Sequence, residues 1–163
     1  MRKYLNWETA KGFLPYALAM VFILLVGNLF ASDTSLYETL EKPMFSPPPK
    51  VFGIAWSILY TLMAISLYLI YTTDCTHKEE CDKKGAYWIF FLQLIVNIIW
   101  PFIFFTKDYL FLAFLWILFL IVLVYVMLRK FAEINPWAAK LQLPYFLWLL
   151  FAAYLNYFIA TMN

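Results

Sequence analysis

Three stripes of side chains give this 163-residue chain chemistry that a plain apolar sequence lacks. Phe52, Trp56, Tyr60 and Met63 recur at spacings of four, four and three, so on a helix they share one face. Gln93, Asn97, Trp100 and Phe104 follow the same rule, and Trp148, Ala152 and Asn156 form a third stripe behind Pro144 and Tyr145. Aromatic faces stack on flat apolar molecules, and carboxamides add hydrogen bonds that orient them. Pro101 adds a further acceptor, because its ring clashes with the carbonyl of Asn97 and would free that oxygen beside the amide.

Each polar member also has a plainer reading. Within a bilayer Gln93, Asn97 and Asn156 must face protein, a cavity or a ligand. As interhelical bonds they would contribute about 0.6 kcal/mol each. For Asn97 bundle contact and ligand contact stand level, while Asn156 reads better as a bundle contact. Trp56 lies five residues and Trp148 nine residues into its span. That depth favours a pocket wall over an interfacial belt, more strongly for Trp148. Ahead of Trp56 runs Lys42-Pro-Met-Phe-Ser-Pro-Pro-Pro-Lys50, and proline stiffens such a segment. It reads as a rigid lid over an aromatic helix.

A separate cluster, Cys75, His77 and Cys81, holds three potential zinc ligands within seven residues, with Asp74 or Glu79 as a fourth. The cysteines could instead pair, or the segment could be an ordinary solvated loop, which is the reading preferred here; no metal site is expected. His77 is the single histidine and is expected on the face opposite the lid, so no histidine awaits a haem iron there. Nucleotide-binding loops, Ser-His-Asp sets and zinc-protease motifs are missing from the sequence.

The elements that position these side chains are membrane spans. Hydrophobic residues make up 65% of the chain and charged ones 13%, with a mean hydropathy of +0.76. Soluble domains are about one quarter charged. Five apolar stretches, near 12–31, 51–72, 86–105, 109–128 and 139–161, each have the length needed to cross ~30 Å of hydrocarbon. Continuous apolar runs exclude a β-barrel, so the expected fold is an all-α membrane protein, a bundle of five transmembrane helices forming one domain over 1–163. The first run is read as a retained helix rather than a cleaved leader. Residues 32–50 form the lid loop.

Five spans put the chain ends on opposite sides. Nine basic residues (Arg2, Lys3, Lys11, Lys78, Lys83, Lys84, Arg129, Lys130 and Lys140) fall on one side; Lys42, Lys50 and Lys107 fall on the other. In a plasma membrane this asymmetry places the N-terminus inside and the lid outside. It also puts the Cys/His loop in a reducing compartment, against a disulfide. With no ionisable residue deep in a span and no internal repeat, ion-coupled transport is disfavoured. The flanking charges form no basic arm or stripe for nucleic acid.

These residues resemble the translocator protein / tryptophan-rich sensory protein (TspO/MBR) family. The likeness runs from Leu36 to Asn156, through Tyr37 and Leu40, Lys42-Pro43, Pro47-Pro48, Val51-Phe52, Trp56, Leu59-Tyr60, Gln93-Leu94, Asn97, Trp100-Pro101, Phe104-Phe105, Pro144-Tyr145, Trp148, Phe151-Ala152 and Leu155-Asn156. The resemblance implies a five-helix bundle, commonly a homodimer, with a pocket under the lid. Members bind porphyrins, and animal members also bind cholesterol and benzodiazepine- or isoquinoline-type ligands. It places ligand contacts at Tyr37, Trp56, Asn97, Trp148 and Ala152; Phe52, Tyr60 and Trp100 of the aromatic stripes and Pro47 of the lid complete the expected ligand-binding set.

Some bacterial members break down protoporphyrin IX in light with two pocket tryptophans, which match Trp56 and Trp148. Leu36 and Phe45 stand where the family carries further indoles, and no basic residue follows Tyr157 as a sterol motif requires. The preferred function is therefore a tetrapyrrole-binding sensor, carrier or scavenger, with porphyrin as ligand rather than resident cofactor. A light-dependent porphyrin-degrading enzyme, with Trp56 and Trp148 catalytic, and a lipid- or sterol-binding structural protein are the alternatives.

Overall fold

The computed structural model describes residues 35–76, 81–105 and 109–163, with the single positions Leu14, Leu18 and Val21. A short helix α1 (Ser35–Thr39) precedes four long ones: α2 (Pro49–Thr72), α3 (Lys83–Phe104), α4 (Leu110–Ile134) and α5 (Pro136–Met162). All the regular structure among the described residues is helical. At 1.5 Å per residue the long helices measure about 33–40 Å, enough to cross a hydrocarbon core of ~30 Å. All four are long and apolar enough to span a membrane, so the chain is an integral multi-pass membrane protein. The first expected span, 12–31, lies outside the described residues apart from those three positions.

Local chemistry sets the helix ends. Pro49 opens α2, where a missing N–H loses no hydrogen bond, and Pro48 precedes it in extended backbone. At the start of α3 the Asp82 carboxylate accepts from the Gly85 N–H at 2.8 Å and from Lys130 Nζ of α4 at 2.8 Å. A Cβ at position 85 would meet that carboxylate and the Lys130 ammonium, so the glycine lets both side chains close over the helix start. The α4–α5 turn is one residue, Asn135. Its N–H donates to Phe131 O, its Oδ1 accepts from the N–H groups of Trp137 and Ala138, and its Nδ2 donates to Thr73 Oγ1 at 2.9 Å. The same residue thus ends one helix, starts the next and ties both to α2.

That turn replaces the ten-residue connection expected between the fourth and fifth spans. Apolar periodicity continues beyond the hydrocarbon: Met127, Phe131 and Ile134 remain buried at spacings of four and three, while Arg129 and Glu133 face outward. The second and third spans begin two and three residues earlier than expected, and the third ends one residue sooner.

A second correction concerns Cys75 and Cys81, which are joined as a disulfide with Cα atoms 5.8 Å apart. The inference against pairing rested on compartment alone. The Cα separation is one that a disulfide spans.

The core fills the space among α2, α3, α4 and α5. Its main cluster runs from Met63 and Leu67 through Phe90 and Leu120 to Phe131 and Tyr145, with the Phe90 and Phe131 rings stacked 6.1 Å apart. α5 packs along both α4 and α2, and α4 along α3, whereas α2 and α3 approach each other little. A smaller cluster at the other end gathers Tyr37, Leu40, Ile103, Phe104, Ala113 and Ile159. The bundle therefore has a tight end and an end where the lid segment docks.

Two substitutions test these joints. Asn135→Ala should destabilise the protein by about 1–2 kcal/mol in detergent unfolding, the usual cost of a lost N-cap. The Lys130 ammonium, joined by the Gly85 N–H, holds the Asp82 carboxyl below its ordinary range. Its stabilisation is therefore present above the unfolded pKa of about 3.9 and lost as pH falls through the lower folded value. Asp82→Asn keeps the cap acceptor but not the charge. Its thermal midpoint should lie below the wild type at pH 7, with the gap closing in acid.

Candidate functional site: a cavity between α2, α3 and α5

The helical spacing turns the aromatic and amide stripes toward one another. On α2, Tyr60 and Met63 are buried, and Trp56 stacks on Tyr60 with ring centres 5.5 Å apart. On α3, Gln93, Asn97 and Phe104 are buried, and Trp100 stacks on Phe104 at 4.9 Å. On α5 the buried stripe is Tyr145, Leu149, Ala152, Asn156 and Ile159, at spacings of four, three, four and three.

Hydrogen bonds join the three stripes. Tyr60 OH donates to Asn97 Oδ1 at 2.7 Å, Asn97 Nδ2 donates to Tyr145 OH at 2.9 Å, and Tyr145 OH donates to Gln93 Oε1 at 2.9 Å. Nearer the lid, Trp100 Nε1 donates to Asn156 Oδ1 at 3.2 Å and Asn156 Nδ2 donates to Ala152 O at 2.7 Å. Asn97 and Asn156 are thus both structural connectors. Asn97 and Asn156 each use both polar atoms in these bonds, and each Nδ2 carries a second N–H beyond the one so used; that of Asn97 lies on a cavity-lining residue.

Above this network lies a cavity of about 220 Å³. Its walls are Phe52, Gly53, Trp56 and Tyr60 from α2, Asn97, Trp100, Pro101 and Phe104 from α3, and Ala152, Leu155, Asn156 and Ile159 from α5. Tyr37 of α1 closes it from above, held by a hydrogen bond from its hydroxyl to Pro47 O at 3.1 Å and by edge-on contact with Phe52. Burial pushes the Tyr37 hydroxyl above the ordinary phenol range, so it remains a donor at any physiological pH. Gly53 supplies width: a Cβ there would meet nothing within 4 Å.

Seven of the nine residues singled out in the sequence meet here: Tyr37, Phe52, Trp56, Tyr60, Asn97, Trp100 and Ala152. Pro47 stands behind the wall, contributing its carbonyl to Tyr37. Trp148 lies beside a separate void of about 20 Å³, which it shares with Phe52, Trp56 and Ala152, among others. Phe52, edge-on to Trp148 at 5.9 Å, adjoins both spaces. Sequence reasoning passed over Tyr145 as a network member. The available signal was its place on the Leu149–Ala152–Asn156 stripe at spacings of four, three and four, with Trp148 about 60° around the helix from Tyr145.

A helical multi-pass membrane protein with an aromatic cavity under a loop is the class these features define. The comparison with known sequences is more specific: the chain belongs to the TspO/MBR family, whose profile matches residues 16–162. It is 31% identical over 135 residues to the tryptophan-rich protein TspO of Bacillus cereus, covering 83% of this chain and 85% of that protein. The human translocator protein is 30% identical over 159 residues, 96% of this chain and 91% of its own. The tryptophan-rich sensory protein of Cereibacter sphaeroides is 27% identical over 128 residues, 78% and 76% of the two chains.

Tyr145→Phe tests the network, because it removes a hydroxyl that both accepts and donates. Water-soluble interiors lose about 1–3 kcal/mol for each polar group so stranded. Chains unfolded within a membrane still find partners, and interhelical bonds there average about 0.6 kcal/mol. The membrane value governs two bonds, so a loss of about 1–2 kcal/mol is expected in denaturant titration of the detergent-solubilised protein.

Proposed function

We propose that this protein is a membrane receptor for a protoporphyrin-class tetrapyrrole, working as a sensor, carrier or scavenger, as a homodimer. The observation that carries this reading is the cavity itself. Trp56, Tyr60, Trp100 and Phe104 offer ring faces, and the floor offers neutral hydrogen-bonding groups with no charge. Such a site favours a flat, mostly apolar ring with a weak acceptor near the Asn97 amide. The ring's carboxylates would remain at the mouth, where Lys50 is exposed at the start of α2. Membership in a family with relatives named translocator and tryptophan-rich sensory protein supports a binding role.

The volume adds a condition. About 220 Å³ is less than the ~300–1,000 Å³ of typical ligand pockets. A tetrapyrrole would enter part way and displace the lid.

Titrating protoporphyrin into the protein in lipid nanodiscs, followed by its own fluorescence polarisation, tests this reading. Saturable binding is expected, weakened about three- to tenfold by Trp56→Phe, as for loss of an aromatic stack. Trp148→Phe should have the smaller effect, since Trp148 faces the lesser void. Gly53→Leu should fill the cavity and abolish binding while leaving the thermal midpoint near wild type. Binding indifferent to Gly53→Leu would remove the cavity from the account. A new absorbing product under illumination would replace the receptor with an enzyme.

A further inference from the structure

Two side chains outside the cavity hold the lid, one tying it to the end of α5 and one bracing it internally. Asn163, just beyond α5, pairs its carboxamide with the main chain of Glu41: Oδ1 accepts from the Glu41 N–H at 2.9 Å and Nδ2 donates to the Glu41 carbonyl at 3.0 Å. Its second Nδ2 hydrogen goes to Ile159 O at 2.9 Å, anchoring the amide to the helix end. Lys42, the next residue of the lid, turns back and donates from Nζ to the carbonyls of Tyr37 at 2.6 Å and Glu38 at 3.2 Å. These carbonyls belong to the short α1, where a cation satisfies otherwise unpaired acceptors. The same ammonium lies 4.7 Å from the centre of the Tyr37 ring. Lys42 is therefore already engaged within the lid, not held out toward the mouth.

We propose that Asn163 clasps the lid to the end of α5 while Lys42 braces the lid's own fold, and that together they hold the lid shut and set the rate at which ligand enters and leaves the cavity. The polar clasp lies beside the apolar contact of Tyr37 and Leu40 with Ile159, so the two release together. A guest larger than the cavity of about 220 Å³ displaces the lid to enter fully. Asn163 suits the position because a carboxamide answers both the main-chain donor and the main-chain acceptor of one residue. A carboxylate of the same shape would set oxygen against the Glu41 and Ile159 carbonyls. The clasp acts on gating and rests on the receptor reading above, but the lid's own motion can be measured without ligand.

The experiment compares wild type with Asn163→Ala, Asn163→Asp and Lys42→Met in nanodiscs. Amide hydrogen exchange over residues 35–48 is followed without ligand, and protoporphyrin association and dissociation are followed by stopped flow. Each substitution should accelerate lid exchange and both porphyrin rates by roughly five- to thirtyfold, the range of losing one or two such bonds. The absorption spectrum of bound porphyrin should stay that of the wild type, because the cavity walls are untouched. Lid exchange unchanged in Asn163→Asp overturns the clasp. Faster exchange with unchanged porphyrin rates overturns the gating role. A wild type that never binds porphyrin removes the receptor reading together with the gate, while exchange still decides whether the clasp exists.

Discussion

A carboxamide placed in the middle of a bilayer has no water to turn to, and the bundle is arranged around that fact. Asn97 finds Tyr60 on one side and Tyr145 on the other, and Tyr145 passes the chain on to Gln93. These bonds connect three helices that side-chain packing alone would leave free to rotate, since neighbouring apolar faces gain little over contact with lipid tails. They matter most between α2 and α3, which approach each other little. The polar chain bridges that gap at one level, and the cavity opens above it.

The remaining architecture frames this opening. Asn135 turns α4 into α5 within a single residue, which commits the two helices to lie antiparallel and places the Tyr145–Ile159 stripe toward α2. The disulfide of Cys75 and Cys81 and the Asp82–Lys130 pair secure the opposite end of the bundle. One end is therefore tied by covalent, capping and ionic contacts. The other is held by Tyr37 and Leu40 docking on apolar surface and by a few hydrogen bonds. Motion concentrates where fewer contacts must break.

Membership in the TspO/MBR family gives this arrangement a functional setting, and the differences from the family pattern then acquire physical content. Phe45, where an indole was expected, is exposed, so its ring does not pack on the cavity. Lys42, which charge counting offered as a partner for an anionic ligand, spends its ammonium on α1. Among the lysines near the mouth that the structure describes, Lys50 is the one exposed to a ligand's carboxylates.

Much of this was legible in the residues alone. Runs of about twenty apolar residues permit only helices in hydrocarbon, so the all-helical membrane fold followed from composition and run length. Spacings of three and four placed Phe52, Trp56 and Tyr60 together, and likewise Asn97 and Trp100, because helical period is a local property. What periodicity leaves open is rotation, which neighbouring helices set. Tyr145 and Trp148 stand about 60° apart around α5, and packing against α2 and α4 put Tyr145 in the network and Trp148 beside the smaller void. The length of the α4–α5 turn, the Cys75–Cys81 bond and the meeting of Asn163 with Glu41 across 122 positions belong to tertiary structure as well. Such contacts depend on where distant segments come to rest, and no local pattern of residue types encodes that.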